Sequence, residues 1–260
     1  MKFLIVGDVC GRPGRAAFSK YVRTLKKNNN IDVVIVNGEN AAGGKGLTRK
    51  ALDELYAGGA DIITSGNHIW DKKDVLQFID AEPFLVRPAN YPEGAQGKGF
   101  CIYPFKAKNI GVINLCGRAF MPQMDCPFQK IDEILDELKN ECNIIILDFH
   151  AETTSEKLAI ANYIDGRVSA VVGTHTHVQT ADERLLPKGT AYISDLGMVG
   201  PIDSILGVKK ELIIEKFLTC LPVKFDIPDT ACEFGAVILE IDDETDKPVR
   251  IERVLLRDDE

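Results

Sequence analysis

At 260 residues, 45% hydrophobic and 27% charged, the chain has an ordinary globular composition with room for one large core. A net charge of −8 excludes an extended nucleic-acid surface, which needs a basic face, but leaves a small phosphorylated substrate open because metal ions can supply positive charge locally. No apolar run approaches the roughly 20 residues of a membrane span, Met1-Lys2 leads into an apolar stretch too short for a signal peptide, and seven cysteines with no C-x-x-C read as reduced thiols, so the expectation is a cytoplasmic protein.

Residues 3–6 (FLIV) form a continuous apolar run, the mark of a strand buried on both faces, and Gly7-Asp8 ends it. Pro13 suits the first turn of a helix that runs to about Lys27 and stops at three asparagines. A second buried strand at 33–36 (VVIV) ends in Asn37-Gly38-Glu39-Asn40. A Gly-rich loop around Lys45 then leads to Thr48, a plausible N-cap for a helix carrying Leu52, Leu55 and Tyr56 on one face, closed by Gly58-Gly59. A third strand at 61–64 ends in Ser65-Gly66-Asn67-His68, and a short helix is expected near 73–79. The stretch 81–108 reads as loops plus one strand at 100–103, and 110–115 as a further strand. The clearest amphipathic helix is 128–141, with Ile131, Ile134, Leu135 and Leu138 at i, i+3, i+4, i+7. Strand 144–147 ends in Asp148-Phe149-His150, and Thr153-x-x-Glu156 is a capping-box pattern opening a helix to about Ile164. Ala170-Val171-Val172 is a buried strand ending in Gly173-Thr174-His175-Thr176-His177, and 190–194 is one more. Alternation at 236–241 and 249–255 predicts antiparallel strands closing a sheet. Residues 1–260 show no repeat or linker and read as a single domain.

Five strands therefore end in a candidate ligand: Asp8, Glu39-Asn40, Asn67-His68, His150 and His175/His177. In strand–helix alternation, sites form at the carboxyl ends of strands. Each residue has a plainer reading. Asp8 and Asn67 are ordinary turn residues, Glu39 is a solvated acid, a histidine beside a buried strand is usually structural, and H-x-H alone is a weak metal signal. The coincidence is what weighs, since all four histidines of the chain fall at strand ends. Oxygen and nitrogen donors of this kind suit Mn, Fe or Zn rather than Cu(I) or an iron–sulfur cluster, and they are too many for one ion. Lys45, Arg87 and Arg118 are candidate substrate contacts, against the plainer reading of solvated surface charge. Neither G-x-x-x-x-G-K-[ST] nor G-x-G-x-x-G spacing is present, so a P-loop or Rossmann dinucleotide site is weakly supported.

The order Gly7-Asp8, Gly38-Glu39-Asn40, Gly66-Asn67-His68, His150 and Gly173-Thr174-His175-Thr176-His177 resembles the calcineurin-like metallophosphoesterases, and the variants Gly-Asp-Val-Cys-Gly, Asn-Gly-Glu-Asn-Ala and Gly-Asn-His-Ile-Trp-Asp look like their YmdB-like branch. The resemblance covers essentially the whole chain. It implies an α/β fold, a four-layer α/β/β/α sandwich with two divalent transition-metal ions (Fe or Mn, with Zn as the further option) at one edge. Asp8, Glu39, Asn40 and His177 would hold the first ion; Glu39 as the bridge, with Asn67, His150 and His175, would hold the second. It implies hydrolysis of cyclic nucleotides, 2′,3′ and also 3′,5′, by attack of a metal-bridging hydroxide, with His68 protonating the leaving oxygen; Asp71, three residues on, is a candidate to orient that ring. Relatives also imply a homo-oligomer. The alternatives are another activity of the superfamily (phosphoprotein phosphatase, 5′-nucleotidase or nuclease) and a non-catalytic nucleotide-binding regulator. Most of the superfamily has D-x-H where this chain has Cys10, and G-D-x-x-D where it has Gly38-Glu39-Asn40, so the first ion exchanges an imidazole for an amide. A Cys10 thiolate could substitute, although a buried structural cysteine is commoner.

Overall fold

The computed structural model describes residues 1–258. In chain order the elements are β1 (Lys2–Val9), α1 (Gly11–Asn29), β2 (Val33–Asn37), α2 (Arg49–Gly58), β3 (Ile62–Thr64), β4 (Leu85–Val86), β5 (Phe100–Phe105), β6 (Lys108–Cys116), α3 (Pro127–Leu138), β7 (Ile144–His150), α4 (Thr154–Tyr163), β8 (Ala170–Thr174), β9 (Arg184–Leu185), β10 (Ala191–Ile193), β11 (Met198–Pro201), α5 (Lys210–Thr219), β12 (Cys232–Ile241) and β13 (Pro248–Arg257), with short 3-10 turns between Ile69 and Ala81.

The apolar runs are buried on both faces because the strands lie in two stacked sheets with helices outside each. The first sheet has the order β13-β12-β11-β1-β2-β3-β4 and the second β5-β6-β7-β8-β10-β9. Strand alternation sends Leu4 and Val6 outward against Phe18, Val22, Leu52 and Leu55 of α1 and α2. Phe3, Ile5, Val33 and Ile35 turn inward to meet Val112, Ile144, Ile146 and Val172 of the second sheet. On the far side Ile113, Ile145 and Leu147 pack on Ile131, Ile134 and Leu138 of α3 and Ile160 of α4. Three apolar cores thus separate four layers, the expected α/β/β/α sandwich.

Local signals place the helices. The Thr48 hydroxyl accepts the Ala51 N–H at 3.3 Å, and Gly59 ends α2 with φ +110°. At α4 only half of the expected capping box forms. Thr153 Oγ1 accepts the Glu156 N–H at 3.4 Å, but the Glu156 carboxylate turns away to the N–H groups of Arg118 and Ala119. Stretch 73–79, expected as a helix, is broken into 3-10 turns. Helix α5 has no counterpart among the elements expected from the sequence, and it buries no residue. The closing strands are antiparallel as expected, Val237 opposite Arg253 and Leu239 opposite Ile251.

β1, β2 and β3 run parallel in one sheet, and β7 and β8 run parallel in the other. Their carboxyl ends meet at one edge of the sandwich, and that edge carries the polar residues.

Candidate metal centre

Asp8 stands at the end of β1, fully buried. Its Oδ2 accepts the His175 N–H at 3.1 Å, whereas its Oδ1 is buried with no hydrogen-bond partner. The rings nearest that oxygen are His177, with Nε2 at 3.8 Å, and His150, with Nδ1 at 3.9 Å. An orphaned carboxylate oxygen in a buried pocket is costly unless a cation satisfies it.

A second focus lies at His150 Nε2. Glu39 Oε1, Asn67 Oδ1 and His175 Nδ1 each approach it at 3.0 Å. One ring nitrogen carries at most one proton, which cannot serve three partners, so the arrangement is a set of donors converging on a point. The ligand atoms of Glu39, His150 and His175 lie within 4.8 Å of one another. Glu39 Oε1 also accepts the Asn40 side-chain N–H at 3.3 Å, and the Asn40 amide nitrogen stands 3.1 Å from His177 Nε2. Glu39 thereby joins the Asp8–Asn40–His177 group to the Asn67–His150–His175 group. The donor set is oxygen and imidazole nitrogen, suited to divalent ions of the Mn, Fe and Zn type, and together with the orphaned Asp8 oxygen it fits them.

The backbone is shaped to allow this closeness. A Cβ on Gly66 would collide with Glu39 Oε2 and lie 2.5 Å from His150 Nε2, so only glycine lets β3 feed Asn67 into the cluster. His175 and His177 adopt φ of +97° and +63°, a region unfavourable for a side-chain-bearing residue by roughly 1–3 kcal/mol each. The surroundings hold them there. Asp195 Oδ2 takes the Thr176 N–H at 3.1 Å and hydroxyl at 2.7 Å, and pairs with the buried Lys157 ammonium at 2.7 Å.

Further contacts fix ring orientation. Thr174 Oγ1 lies 2.9 Å from His150 Nδ1 and donates to Asp148 Oδ1 at 2.7 Å. Asp148 also receives the Asn37 amide at 3.1 Å, so this relay ties the second sheet to the first beneath the centre. His177 Nδ1 stands 3.1 Å from the Leu206 carbonyl, a bond that leaves Nε2 for a cation. Cys10 Sγ is 3.7 Å from that same Nδ1, on the edge of the ring directed at Leu206 rather than at Asp8.

Electrostatics follow from burial. Desolvation pushes the Asp8 carboxyl up to about 6, against the pull of His177 and His150. Burial acts in the same sense on Glu39, but His150 beside it and the His68 N–H on its Oε2 overcome that and hold it at about 2. Burial and then repulsion by His150 push His175 down to about 3, leaving it the neutral ring that a cation needs. For His150, burial is outweighed by Glu39 and Asp8, which raise its pKa: buried carboxylates draw positive charge toward this spot.

His68 lies at the rim. Its N–H donates to Glu39 Oε2 at 2.9 Å and its Nδ1 stands 3.0 Å from Asp71 Oδ2, the expected orienting contact. A cavity of about 790 Å³ opens above, lined by Glu39, Asn40, His68, His175, His177 and Lys45 among others. The structure does not bring the two arginines there. Arg87 is buried and its guanidinium is used on the carbonyls of Gln96, Pro88 and Ala95 at 2.9, 2.7 and 3.0 Å, a loop-bracing role. Arg118 is exposed outside the cavity lining, its N–H on Glu156 at 3.0 Å. Asp195, Lys157, Thr174 and Asp148 escaped the sequence reading. Asp195 follows a buried strand as the other candidates do, so the same rule extended to 190–194 finds it; Lys157, midway along a helix, leaves no such signal.

The chain matches the model of the family described as "YmdB-like protein" over residues 4–254. It is 54% identical over 259 residues to a 2′,3′-cyclic-nucleotide 2′-phosphodiesterase of Bacillus subtilis (strain 168), covering 100% of this chain and 98% of that protein. A crystallised protein from Thermus thermophilus superposes with TM-score 0.94 at 40% identity, covering 100% of both chains. A novel phosphatase from Mycoplasma pneumoniae does so with TM-score 0.93 at 37% identity, covering 99% of this chain and 93% of that one.

Proposed function

This chain belongs to the YmdB-like protein family, and on that premise we propose that it hydrolyses 2′,3′-cyclic nucleotides at the 2′ ester, with 3′,5′-cyclic nucleotides as a second substrate class, at a centre holding two divalent ions. The observation that carries this is the double focus around Glu39: Oε1 lies 3.0 Å from His150 Nε2 on one side and 3.3 Å from the Asn40 amide on the other. Asp8, Glu39, Asn40 and His177 would hold one ion, and Glu39, Asn67, His150 and His175 the other. Bound there, divalent iron, manganese or zinc supplies Lewis-acid charge on the phosphoryl oxygens and a water acidified toward neutrality.

The protein's own contribution is position and protons. Asp8 and Glu39 bring two negative charges, fewer than two divalent ions neutralise, so the site attracts a phosphodiester anion without a basic surface. His68 hands a proton to the departing 2′ oxygen from Nε2, because Asp71 occupies Nδ1 at 3.0 Å. Lys45, on the cavity wall, meets the anionic substrate. A pure nucleotide-binding regulator has no use for the His68–Asp71 pair, which favours turnover over binding alone.

Two ancillary readings go with this one. Seven unpaired cysteines support a reducing, cytoplasmic setting, and exposed Phe217, Leu218 and Leu221 support assembly into homo-oligomers. Among the described residues no helix is long and apolar enough to cross a membrane.

The test is a substrate panel with the protein reconstituted separately with iron, manganese and zinc: 2′,3′-cyclic and 3′,5′-cyclic nucleotides, a phosphomonoester and a short RNA. The expected result is strongest turnover of 2′,3′-cyclic nucleotide to the 3′-monophosphate. A marked preference for the monoester refutes the diesterase reading. His68→Ala is expected to keep its metal and lose turnover; undiminished turnover removes His68 from the proton-donor role.

A further inference from the structure

Between β11 and β12 the chain leaves the first sheet for some thirty residues, 202–231, and contributes nothing to the three cores. The excursion is pinned at its base by the Ile202 N–H on the Ala231 carbonyl at 2.8 Å, and midway by the Lys209 N–H on the Asp226 carbonyl at 2.9 Å. Its helix α5 buries no residue. A segment held in place this way, yet adding no packed interior, has its purpose in what it faces. It faces the cavity over the metal centre and is anchored to it directly, since the Leu206 carbonyl is the partner of His177 Nδ1 at 3.1 Å.

The wall it builds is chemically one-sided. Every side chain that 205–227 lends to the cavity is apolar except Lys216. At its centre stands Phe225, half-buried, with the Lys216 ammonium 4.9 Å and the Lys45 ammonium 5.7 Å from the ring centroid. Two cations over one aromatic ring hold it in place and give the wall positive charge. The cavity of about 790 Å³ lies in the range of a complete small-molecule site, far more than a phosphoester group alone requires. The metal centre on the floor can read phosphate, and the two phenylalanines of the lining, Phe217 and Phe225, both come from this segment.

We propose that the β11–β12 excursion is the nucleobase wall of this cavity, with Phe225 as the ring on which the base stacks and Lys45 and Lys216 as the cations that receive the anionic sugar-phosphate. The inference rests on the cyclic-nucleotide reading and deepens it: selectivity for nucleotides over simple phosphodiesters resides in 205–227, apart from the metal ligands. Because the wall offers no donor or acceptor side chain other than Lys216, it recognises the π-face of a base and not its hydrogen-bonding edge. Adenine and uracil substrates are both accepted, the purine more tightly through its larger stacking area.

The experiment compares adenosine 2′,3′-cyclic phosphate with methyl β-riboside 2′,3′-cyclic phosphate, which keeps the reacting group and lacks the base. Loss of a stacking ring costs about tenfold to a hundredfold in affinity. Phe225→Ala is therefore expected to raise KM for the adenosine substrate by at least about tenfold with kcat within about twofold, to leave the methyl riboside unchanged, and to be rescued by Phe225→Tyr. Equal losses on both substrates, or none on either, overturn the proposal. If the wild type turns over neither, calorimetric binding of adenosine 3′-monophosphate separates the two ideas. Binding that Phe225→Ala weakens keeps the wall and refutes the diesterase; no binding by the wild type overturns the wall as well.

Discussion

Lys157→Met removes the charge beneath the H-x-H loop while keeping most of the side-chain volume. Lys157 and Asp195 each retain about 1% side-chain exposure and meet at 2.7 Å. Breaking a buried pair by deleting one partner costs about 3–5 kcal/mol, because the survivor is left as a buried, unpaired charge. Asp195 keeps the Thr176 N–H and hydroxyl and the Gly197 N–H, the last at 2.8 Å, so the cost sits at the lower end. With about 3 kcal/mol lost and about 2–4 °C per kcal/mol for a chain of this size, the melting temperature should fall by about 6–12 °C. The loosened Asp195 no longer fixes Thr176 between two strained histidines, and metal affinity should drop about 10–100-fold, the usual range for lost outer contacts. The assay is thermal denaturation in chelator, followed by titration of the chelated protein with Mn²⁺. Adding Asp195→Asn should return part of the loss, since both charges are then gone. A Lys157→Met protein that melts within about 2 °C of wild type, or binds Mn²⁺ unchanged, refutes the clamp.

Gly66→Ala drives a Cβ to within 2.5 Å of His150 Nε2, so the protein should fold with about 1–3 kcal/mol of overpacking yet lose metal, measured as bound ion per chain; a full complement contradicts the close approach. His175→Ala should empty the position shared with Asn67 and His150, and His177→Ala the one shared with Asp8 and Asn40; variants with identical metal content and spectra would show that the two rings do not serve different ions. Away from the centre, burial tends to raise Asp182, but the Ser194 hydroxyl, the Thr180 hydroxyl and the Ser194 N–H outweigh it and lower its pKa below the usual 3.8. A lowered carboxylate contributes stability in full above its unfolded value and loses it as pH falls through its folded value. Asp182→Asn should therefore flatten the loss of stability below about pH 4, and an unchanged acid limb in denaturant titrations refutes this.

Some of the chemistry was readable because it is local. Asp8, Glu39, Asn67, His150 and His175 each follow a run of buried β-residues, and a polar residue that ends such a run sits at a strand terminus whatever the partners are. Other residues owe their role to distant partners. Arg87 looked like a substrate contact by residue type, but it packs into a loop whose carbonyls engage each of its three guanidinium nitrogens. Lys157 resembles any helical lysine until the fold sets Asp195 against it. Helix α5 packs on no core, and its apolar Ile213 and Phe217 line the cavity instead.

By itself, then, the sequence determined the long strands and the residues that end them, though not β4, β9, β11 or α5, because backbone propensity and side-chain periodicity are properties of neighbours in the chain. Only the tertiary structure decided which of those ends share a point in space. Glu39 touches His150 across 111 positions of sequence, and Asp8 receives the His175 N–H across 167. Such contacts depend on the twist and stacking of two sheets, and they alone turn separate polar residues into one site with an orphaned carboxylate oxygen at its centre.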